Sequence, residues 1–125
     1  MTEYVVSIPE ELEDELSRSF ASGRIIEFTD QGEYVEVKKV QVDRVNGVKI
    51  EVFSNEHPPP HFRVKYQGST ANYSIKDCTR INGGGEVVRF ENNIIKWWKA
   101  NKQKLIDTWN ARRPSDCPVG VYQET

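Results

Sequence analysis

A chain of 125 residues with 37% hydrophobic and 29% charged residues can bury a core of its own, and we predict a single globular domain over residues 1–125. It contains no apolar run near the ~20 residues of a membrane span, and its start lacks the basic and apolar regions of a signal peptide, so we expect a cytoplasmic protein with no membrane partner. The net charge of −2 hides an asymmetry. Residues 1–43 carry eleven acidic and four basic side chains, whereas residues 44–125 carry eight acidic and thirteen basic ones. The two parts screen each other, face different partners, or are plain solvated surfaces.

The first predicted elements are a short strand and an amphipathic helix. Residues 4–6 form the strand, and the sequence Ser7-Ile8-Pro9-Glu10 is typical of a helix start, with Ser7 as the cap and Glu10 at the return position of a capping box. An apolar stripe follows at a spacing of four residues: Ile8, Leu12, Leu16 and Phe20. Gly23 ends the helix, which we expect to lie on a sheet.

Several strand patterns follow. Residues 24–28 and 34–42 predict two strands, and a change of parity at Lys38-Lys39 predicts a β-bulge that keeps the valines of the second strand on the core face: Val35, Val37, Val40 and Val42. Asn46-Gly47 is typical of a hairpin turn into the next strand, residues 48–53. After a proline-rich interruption, residues 62–66 and 71–75 predict two more strands, and the whole pattern indicates an antiparallel meander.

The last part of the chain predicts a glycine-rich loop and a long helix. Residues 82–85 indicate a flexible loop, with phosphate binding as a weaker alternative because no Walker or dinucleotide-binding spacing is present. The helix, residues 87–111, has one apolar arc: Ile94, Ile95, Trp98, Leu105, Ile106 and Trp109. We expect Trp98 and Trp109 in the core. Trp97 lies beside the arc, and we expect it under another part of the chain, with an oligomer contact as the alternative.

These elements predict an α+β fold in which an antiparallel meander sheet packs against an N-terminal amphipathic helix and a long C-terminal helix. The chain divides into an acidic helix and strand extension (1–44), a core (45–113) and an irregular tail (114–125). Cys78 and Cys117 lack the spacing of a zinc site, so we expect reduced thiols, no metal and no cofactor.

A proline- and histidine-rich stretch, residues 55–62, reads Asn-Glu-His-Pro-Pro-Pro-His-Phe and holds both histidines and half of the six prolines of the chain. With Gly47-Val48-Lys49-Ile50 before it and the pattern Trp97…Leu105…Trp109 after it, this stretch makes residues 47–113 resemble the small bacterial proteins of the family named domain of unknown function 4160. The resemblance implies a compact α+β unit of the bacterial cytoplasm, often encoded beside toxin–antitoxin-like or mobile genes, with no established activity. The family pattern usually continues with a histidine where this chain has Arg63, so any metal or proton site built on that histidine is incomplete here.

The three prolines at 58–60 predict a stiff polyproline II segment. At about 3.1 Å per residue, such a segment holds His57 and His61 roughly 12 Å apart and pointing in different directions, which argues against a shared metal ion. Only a tight turn, for example through a cis X-Pro bond, would bring the two imidazoles together. A stiff loop loses little entropy on binding, so His57 and Pro59 are candidate contacts for a partner. The plainer role for His57 is to hold the loop through hydrogen bonds to the backbone.

The strand after this loop carries a row of polar side chains. Because side chains alternate along a strand, His61, Arg63 and Lys65 share one face and the apolar residues between them face the core. This row is a solvated sheet face, a binding site for a carboxylate, a phosphate or a nucleic-acid backbone, or a catalytic site. For catalysis, His61 and Glu56 are the candidate acid–base groups, and Glu51 is the other carboxylate nearby in sequence.

The predicted function is a non-enzymatic binding or adaptor module, toxin–antitoxin-like in context, that engages a protein partner or a second copy of itself. Its predicted contacts are His57, Pro59, His61, Arg63 and Lys65. One alternative is a small hydrolase or ribonuclease that uses His61 with Arg63 and Lys65. Another is an anion- or nucleic-acid-binding protein, although no recognised nucleic-acid motif is present.

Overall fold

The computed structural model describes residues 3–40, 47–55 and 58–124, and it shows two antiparallel sheets packed against helices. In chain order the elements are β1 (Tyr4–Ser7), α1 (Glu10–Ala21), β2 (Arg24–Phe28), β3 (Tyr34–Lys39), β4 (Lys49–Ser54), β5 (His61–Tyr66), β6 (Ser69–Ser74), β7 (Arg80–Gly83), α2 (Glu86–Arg89) and α3 (Glu91–Arg112). Among these residues, no helix combines the length and the apolar character that crossing a membrane requires.

The larger sheet has five strands in the order β1-β4-β5-β6-β7, and all neighbouring strands are antiparallel. Strands β4 to β7 form a meander, and β1 pairs with the other edge of β4, with Tyr4 opposite Ser54 and Ser7 opposite Glu51. The predicted α+β fold, with an antiparallel sheet, an N-terminal helix and a long C-terminal helix, is confirmed.

One face of this sheet forms the core together with α1 and α3. The predicted stripe of α1 is buried, with Leu12, Leu16 and Phe20 all at 5% exposure or less. The predicted cap at Ser7 is wrong: Ser7 is the last residue of β1, and Pro9 occupies the N-cap position without a side-chain hydrogen bond. Strand pairing therefore extends to the residue that local sequence favours as a cap.

Strands β2 and β3 form a separate two-stranded sheet. A register shift between Ile25 and Ile26 gives β3 an additional residue, which is Val37, close to the predicted bulge. The expectation that the valines of this strand face the core is wrong for Val35 and Val37, which are 41% and 49% exposed, while Val40 packs partly against the core. Val42 lies outside the described residues.

The hairpin predicted at Asn46-Gly47 is not formed by the described strands. Strand β3 pairs with β2, whereas β4 pairs with β1 and β5, so the strands on either side of that turn belong to different sheets. Asn46 itself lies outside the described residues. The Asn-Gly pattern favours a turn, but it does not determine which strand pairs with the edge of β4.

The single predicted C-terminal helix is two helices, because the chain breaks at Phe90 between α2 and α3. The Phe90 ring is buried and stacks on Phe20 of α1, with 4.5 Å between ring centroids. Trp109 is buried as predicted, and Trp97 packs under another part of the chain as expected, since its Nε1 donates to the carbonyl oxygen of Leu12 at 3.0 Å. The expectation for Trp98 is wrong: it is only half-buried.

Part of the predicted flexible loop at 82–85 is structured, because Gly83 ends the edge strand β7. Gly83 has φ +107, and a Cβ there would lie 2.3 Å from the carbonyl oxygen of Thr70. A Cβ on Gly85 would lie 2.7 Å from the Cβ of Ser69. These glycines therefore allow the close approach of the chain to β6, which is a packing role.

Gly83→Ala will lower the free energy of unfolding by about 2–4 kcal/mol, because the new methyl group meets the Thr70 carbonyl in a conformation that side chains disfavour. Gly84→Ala is the matched control, since a Cβ at Gly84 has no atom within 4 Å, and its effect will stay below about 1 kcal/mol. Urea denaturation followed by tryptophan fluorescence measures both. Equal effects of the two variants would contradict the close approach of β6 and β7.

Candidate functional site

The polar row, His61, Arg63 and Lys65, lies on the face of β5 that points away from α1 and α3. The alternate residues of β5, namely Phe62, Val64 and Tyr66, are buried in the core. The division of β5 into two faces therefore agrees with the alternation in the sequence. The function of the row depends on what its neighbouring strands place beside it.

Arg63 is the centre of a polar network on this face. Its Nη1 and Nη2 atoms donate to the two carboxylate oxygens of Glu3 at 3.0 and 2.8 Å, and its Nε donates to Oδ1 of Asn72 at 3.0 Å. The Glu51 carboxylate lies 3.7 Å away, and the guanidinium lies over the Phe53 ring at 4.3 Å from its centroid. The hydrogen bond that Arg63 donates to Glu3 is the main cause that raises the pKa of Arg63 above its usual value.

Strand pairing explains this network, since Arg63 lies opposite Glu51 on β4 and opposite Asn72 on β6. The ammonium of Lys65 lies 2.8 Å from the same Glu51 carboxylate, and Nδ2 of Asn72 donates to Oδ1 of Asn82. The two cations of the polar row are thus matched by two carboxylates. This pairing reduces the attraction of the row for a further anion.

His61 lies at the start of β5, opposite Phe53 and Ser74. Its ring is 5.4 Å from the Phe53 ring, and its Nδ1 is buried without a hydrogen-bonding partner among the described residues. Burial lowers the pKa of His61 below 6.5, because removal from water disfavours the imidazolium, so the ring is neutral at pH 7. The other two candidates of this region, Glu56 and His57, lie outside the described residues.

The proline loop borders a groove of about 380 Å³. We call it the proline-loop groove, and it is lined by Pro58, Pro59, Lys76, Tyr122, Gln123 and Glu124. Pro58 and Pro59 lie in a bend and the peptide bond between them is cis, so the loop departs from the straight polyproline II conformation predicted for it. Pro60 is buried, and its carbonyl oxygen accepts a hydrogen bond from the Ile75 N–H at 3.3 Å, which holds the loop against the end of β6.

The C-terminal tail forms the other wall of the proline-loop groove. Asn110 of α3 accepts from the Tyr122 N–H at 2.7 Å and donates to the Tyr122 carbonyl oxygen at 2.9 Å. The Tyr122 hydroxyl donates to Glu124 at 2.9 Å, and Glu124 also pairs with Lys102. The hydrogen bond from Lys102 is the main cause that lowers the pKa of Glu124. The described residues of the tail, 114–124, form no helix or strand, and these contacts fix their position.

Other reactive groups lie away from the polar row. Cys78 and Cys117 are both free and buried, and burial raises the pKa of the Cys78 thiol to about 12, which leaves it protonated and a weak nucleophile at neutral pH. Within the described residues, no group of three or more His, Cys, Asp or Glu side chains is placed to hold a metal ion.

Sequence reasoning missed three residues of this region: Glu3, Asn72 and Tyr122. Glu3 is 60 positions from Arg63, and only the pairing of β1 with β4 brings them together. Asn72 was detectable as the outward residue of a predicted strand. Tyr122 is the one aromatic residue in the sequence of the tail, which is a weak sign of a contact surface.

Comparison with known proteins identifies a family for the central part of the chain. A family model described as a domain of unknown function, DUF4160, matches residues 47–110. This range contains the proline loop, the polar row, strands β4 to β7, α2 and most of α3, and it leaves out residues 3–40 and the tail. No curated protein and no solved structure matches the chain.

His61 gives a prediction for the pH dependence of stability. Its pKa is 6.5 in the unfolded chain and lower in the fold, so between these two values the unfolded chain binds more protons. The free energy of unfolding will therefore fall as the pH drops below 6.5, and His61→Gln will remove part of this fall. Urea denaturation at a series of pH values measures it; identical slopes for the variant and the original chain would contradict the burial of His61.

Arg63→Gln will lower the free energy of unfolding by about 1–3 kcal/mol, because it removes hydrogen bonds to charged and polar partners around a largely buried side chain. Lys65→Gln removes the same charge from the same row and will cost less than about 1 kcal/mol, since 48% of the Lys65 side chain is exposed against 17% for Arg63. Thermal and urea denaturation of both variants test the difference. A Lys65 effect as large as that of Arg63 would contradict the described network.

Proposed function

We propose that this chain, which belongs to the DUF4160 family, is a non-enzymatic binding module that engages a partner protein through the proline-loop groove. The observation that carries the proposal is the wall of this groove, where Pro58 and Pro59 face Tyr122 and Glu124 of the tail. Proline and tyrosine rings are flat apolar surfaces with few rotatable bonds. They are therefore well suited to hold a partner's side chain at a low entropic cost.

Both walls of the groove are held by hydrogen bonds within the chain. Pro60 is fixed to Ile75 on one side, and Tyr122 is fixed to Asn110 on the other. A pre-formed groove of about 380 Å³ is large enough for one or two side chains of an extended peptide. The exposed Lys76 at its rim favours a segment that also carries an acidic group.

The catalytic alternative has less support from the contacts of the polar row. A histidine that acts as an acid or base usually has a partner that orients its ring, and the described residues place none on Nδ1 of His61. The anion-binding alternative also has less support, because Arg63 and Lys65 are paired with Glu3 and Glu51. The polar row is better explained as a stabilising network beneath the loop.

We place the protein in the bacterial cytoplasm, with a toxin–antitoxin-like or other mobile gene context. Two observations support this setting. The family resemblance implies a cytoplasmic bacterial origin, and Cys78 and Cys117 are free thiols, as is usual in a reducing compartment. The tail residues of the groove, Tyr122, Gln123 and Glu124, lie beyond the family match.

Selection of peptides from a random library on the full-length chain tests the proposal. Tyr122→Ala will weaken the binding of a selected peptide about tenfold or more, because it removes the aromatic wall of the groove. Pro58→Ala, at an exposed position of the same groove, will weaken it in the same direction. Fluorescence anisotropy with a labelled peptide measures each dissociation constant.

The matched control is Tyr34→Ala, which removes an exposed tyrosine on β3 and will change the dissociation constant less than about twofold. Circular dichroism verifies that each variant is folded. Failure to enrich any peptide, or equal binding by the Tyr122 and Tyr34 variants, would overturn the proposed function.

A further inference from the structure

The N-terminal segment, residues 3–40, lies outside the family match and contacts the matched part on several elements. Strand β1 extends the sheet by pairing with the edge of β4 over four residue pairs, from Tyr4 opposite Ser54 to Ser7 opposite Glu51. An added strand that completes an exposed sheet edge is a common way for one protein to bind another. Here both the strand and the edge belong to one chain.

Helix α1 continues the role of β1 where that strand ends. The pairing with β1 stops at Glu51, and two backbone N–H groups before this point would be left without a strand partner. The Ile50 N–H donates to Oε2 of Glu13, and the Val48 N–H donates to Oγ of Ser17, both at 2.9 Å. Side chains of α1 thus replace the missing strand along the edge of β4.

Side chains of helix α3 in turn donate hydrogen bonds to backbone carbonyl oxygens of the N-terminal segment. Asn93 donates to the carbonyl oxygen of Arg24 at 2.8 Å, and Asn92 donates to that of Ile26 at 3.1 Å. Trp97 donates to that of Leu12. Side chains of the matched part therefore form hydrogen bonds with the backbone of the N-terminal segment at three places along α1 and β2.

The two parts are also complementary in charge. Residues 1–43 have a balance of acidic over basic side chains, and the remainder has the reverse. This complementarity includes the bidentate pair of Glu3 with Arg63. A cation–π contact also joins the two parts, since the ammonium of Lys96 lies 4.8 Å from the centroid of the Tyr34 ring. Opposed charge on two contacting surfaces is typical of recognition between proteins.

A surface groove lies along the boundary between the two parts. It has a volume of about 370 Å³, lies beside the contact of α1 with α3, and is lined by Glu15, Arg18, Ser19, Asn93, Lys96, Trp97 and Ala100. The Oδ1 atom of Asn93 is buried there without a hydrogen-bonding partner among the described residues. Interfaces between proteins commonly have a polar, solvent-accessible rim.

We propose that residues 47–124 carry a docking surface for an acidic strand–helix–hairpin segment, and that residues 3–40 are its occupant, supplied by the same chain. The surface consists of the edge of β4, the core face beside it, and the face of α3 around Asn93 and Trp97. The same segment of a second copy can exchange into it. This surface lies apart from the proline-loop groove, so it does not depend on the function proposed above.

Cleavage of the connection in the full-length protein tests the proposal. A protease recognition sequence is placed within residues 41–46 of the full chain, and the folded protein is cut there. We expect the two pieces to stay together on size-exclusion chromatography. A fluorescein-labelled peptide of residues 1–40, added afterwards, will exchange into the complex and elute with the larger piece.

Competition with unlabelled peptides identifies the contact. Glu13→Ala in the peptide will raise the concentration needed to displace the label about tenfold, because it removes a charge-assisted hydrogen bond to the Ile50 N–H. Glu11→Ala, at an exposed position of the same helix, is the matched control and will change it less than about twofold.

Three outcomes would overturn the proposal. Unfolding or aggregation of the larger piece after cleavage would mean that both parts form one inseparable core. A complex that never takes up the labelled peptide would mean that the surface does not bind the segment reversibly. Equal competition by the Glu13 and Glu11 variants would mean that the edge of β4 does not recognise α1.

Discussion

The antiparallel pairing of β1 with β4 is the contact on which the arrangement of this protein depends. It brings Glu3 beside Arg63, 60 positions away in sequence, and thereby neutralises the most buried cation of the polar row. It also sets the start of α1, so that Glu13 and Ser17 meet the N–H groups that β1 does not reach. From that start α1 crosses the core face of the sheet, where Leu16 and Phe20 are fully covered.

The same pairing determines the chemistry of the outward face. A row of one imidazole and two cations resembles an anion site when β5 is considered alone. However, β4 and β1 add two carboxylates, and the Phe53 ring lies against a half-buried imidazole. The result is a face with matched charge and a neutral His61. Binding to such a protein depends on shape and apolar contact more than on net charge, which agrees with a groove formed by proline and tyrosine rings. Both proposed surfaces adjoin β4: one along its edge, and one beside the loop that follows it.

The sequence predicted correctly those features that depend on residues close together in the chain. The spacing of four residues located α1, and alternation assigned Phe62 and Val64 to the core and Arg63 to the outer face. The errors arise where distant segments decide the outcome. Ser7 is paired with Glu51 although its surroundings favour a helix cap, and Val35 and Val37 are exposed because their strand joins a second sheet. Trp98 is only half-buried, whereas Trp97 on its flank lies under α1, as expected for it. Strand β7 has little apolar pattern and forms because Gly83 lets it approach β6. The groove escaped prediction for the same reason, since Tyr122 meets Pro58 and Pro59 only through the fold.

Amide hydrogen exchange followed by NMR measures most directly whether residues 3–40 are a docked segment. If they are, the amides of β1 and α1 will exchange through a partial opening with a lower free energy than the amides shared by β5 and β6, which will exchange only through global unfolding. The protection of the Val48 and Ile50 amides will follow that of α1, because Ser17 and Glu13 accept their hydrogen bonds. One common opening free energy for all of these amides would contradict a docked segment and would show that β1 and α1 are inseparable from the sheet they cover.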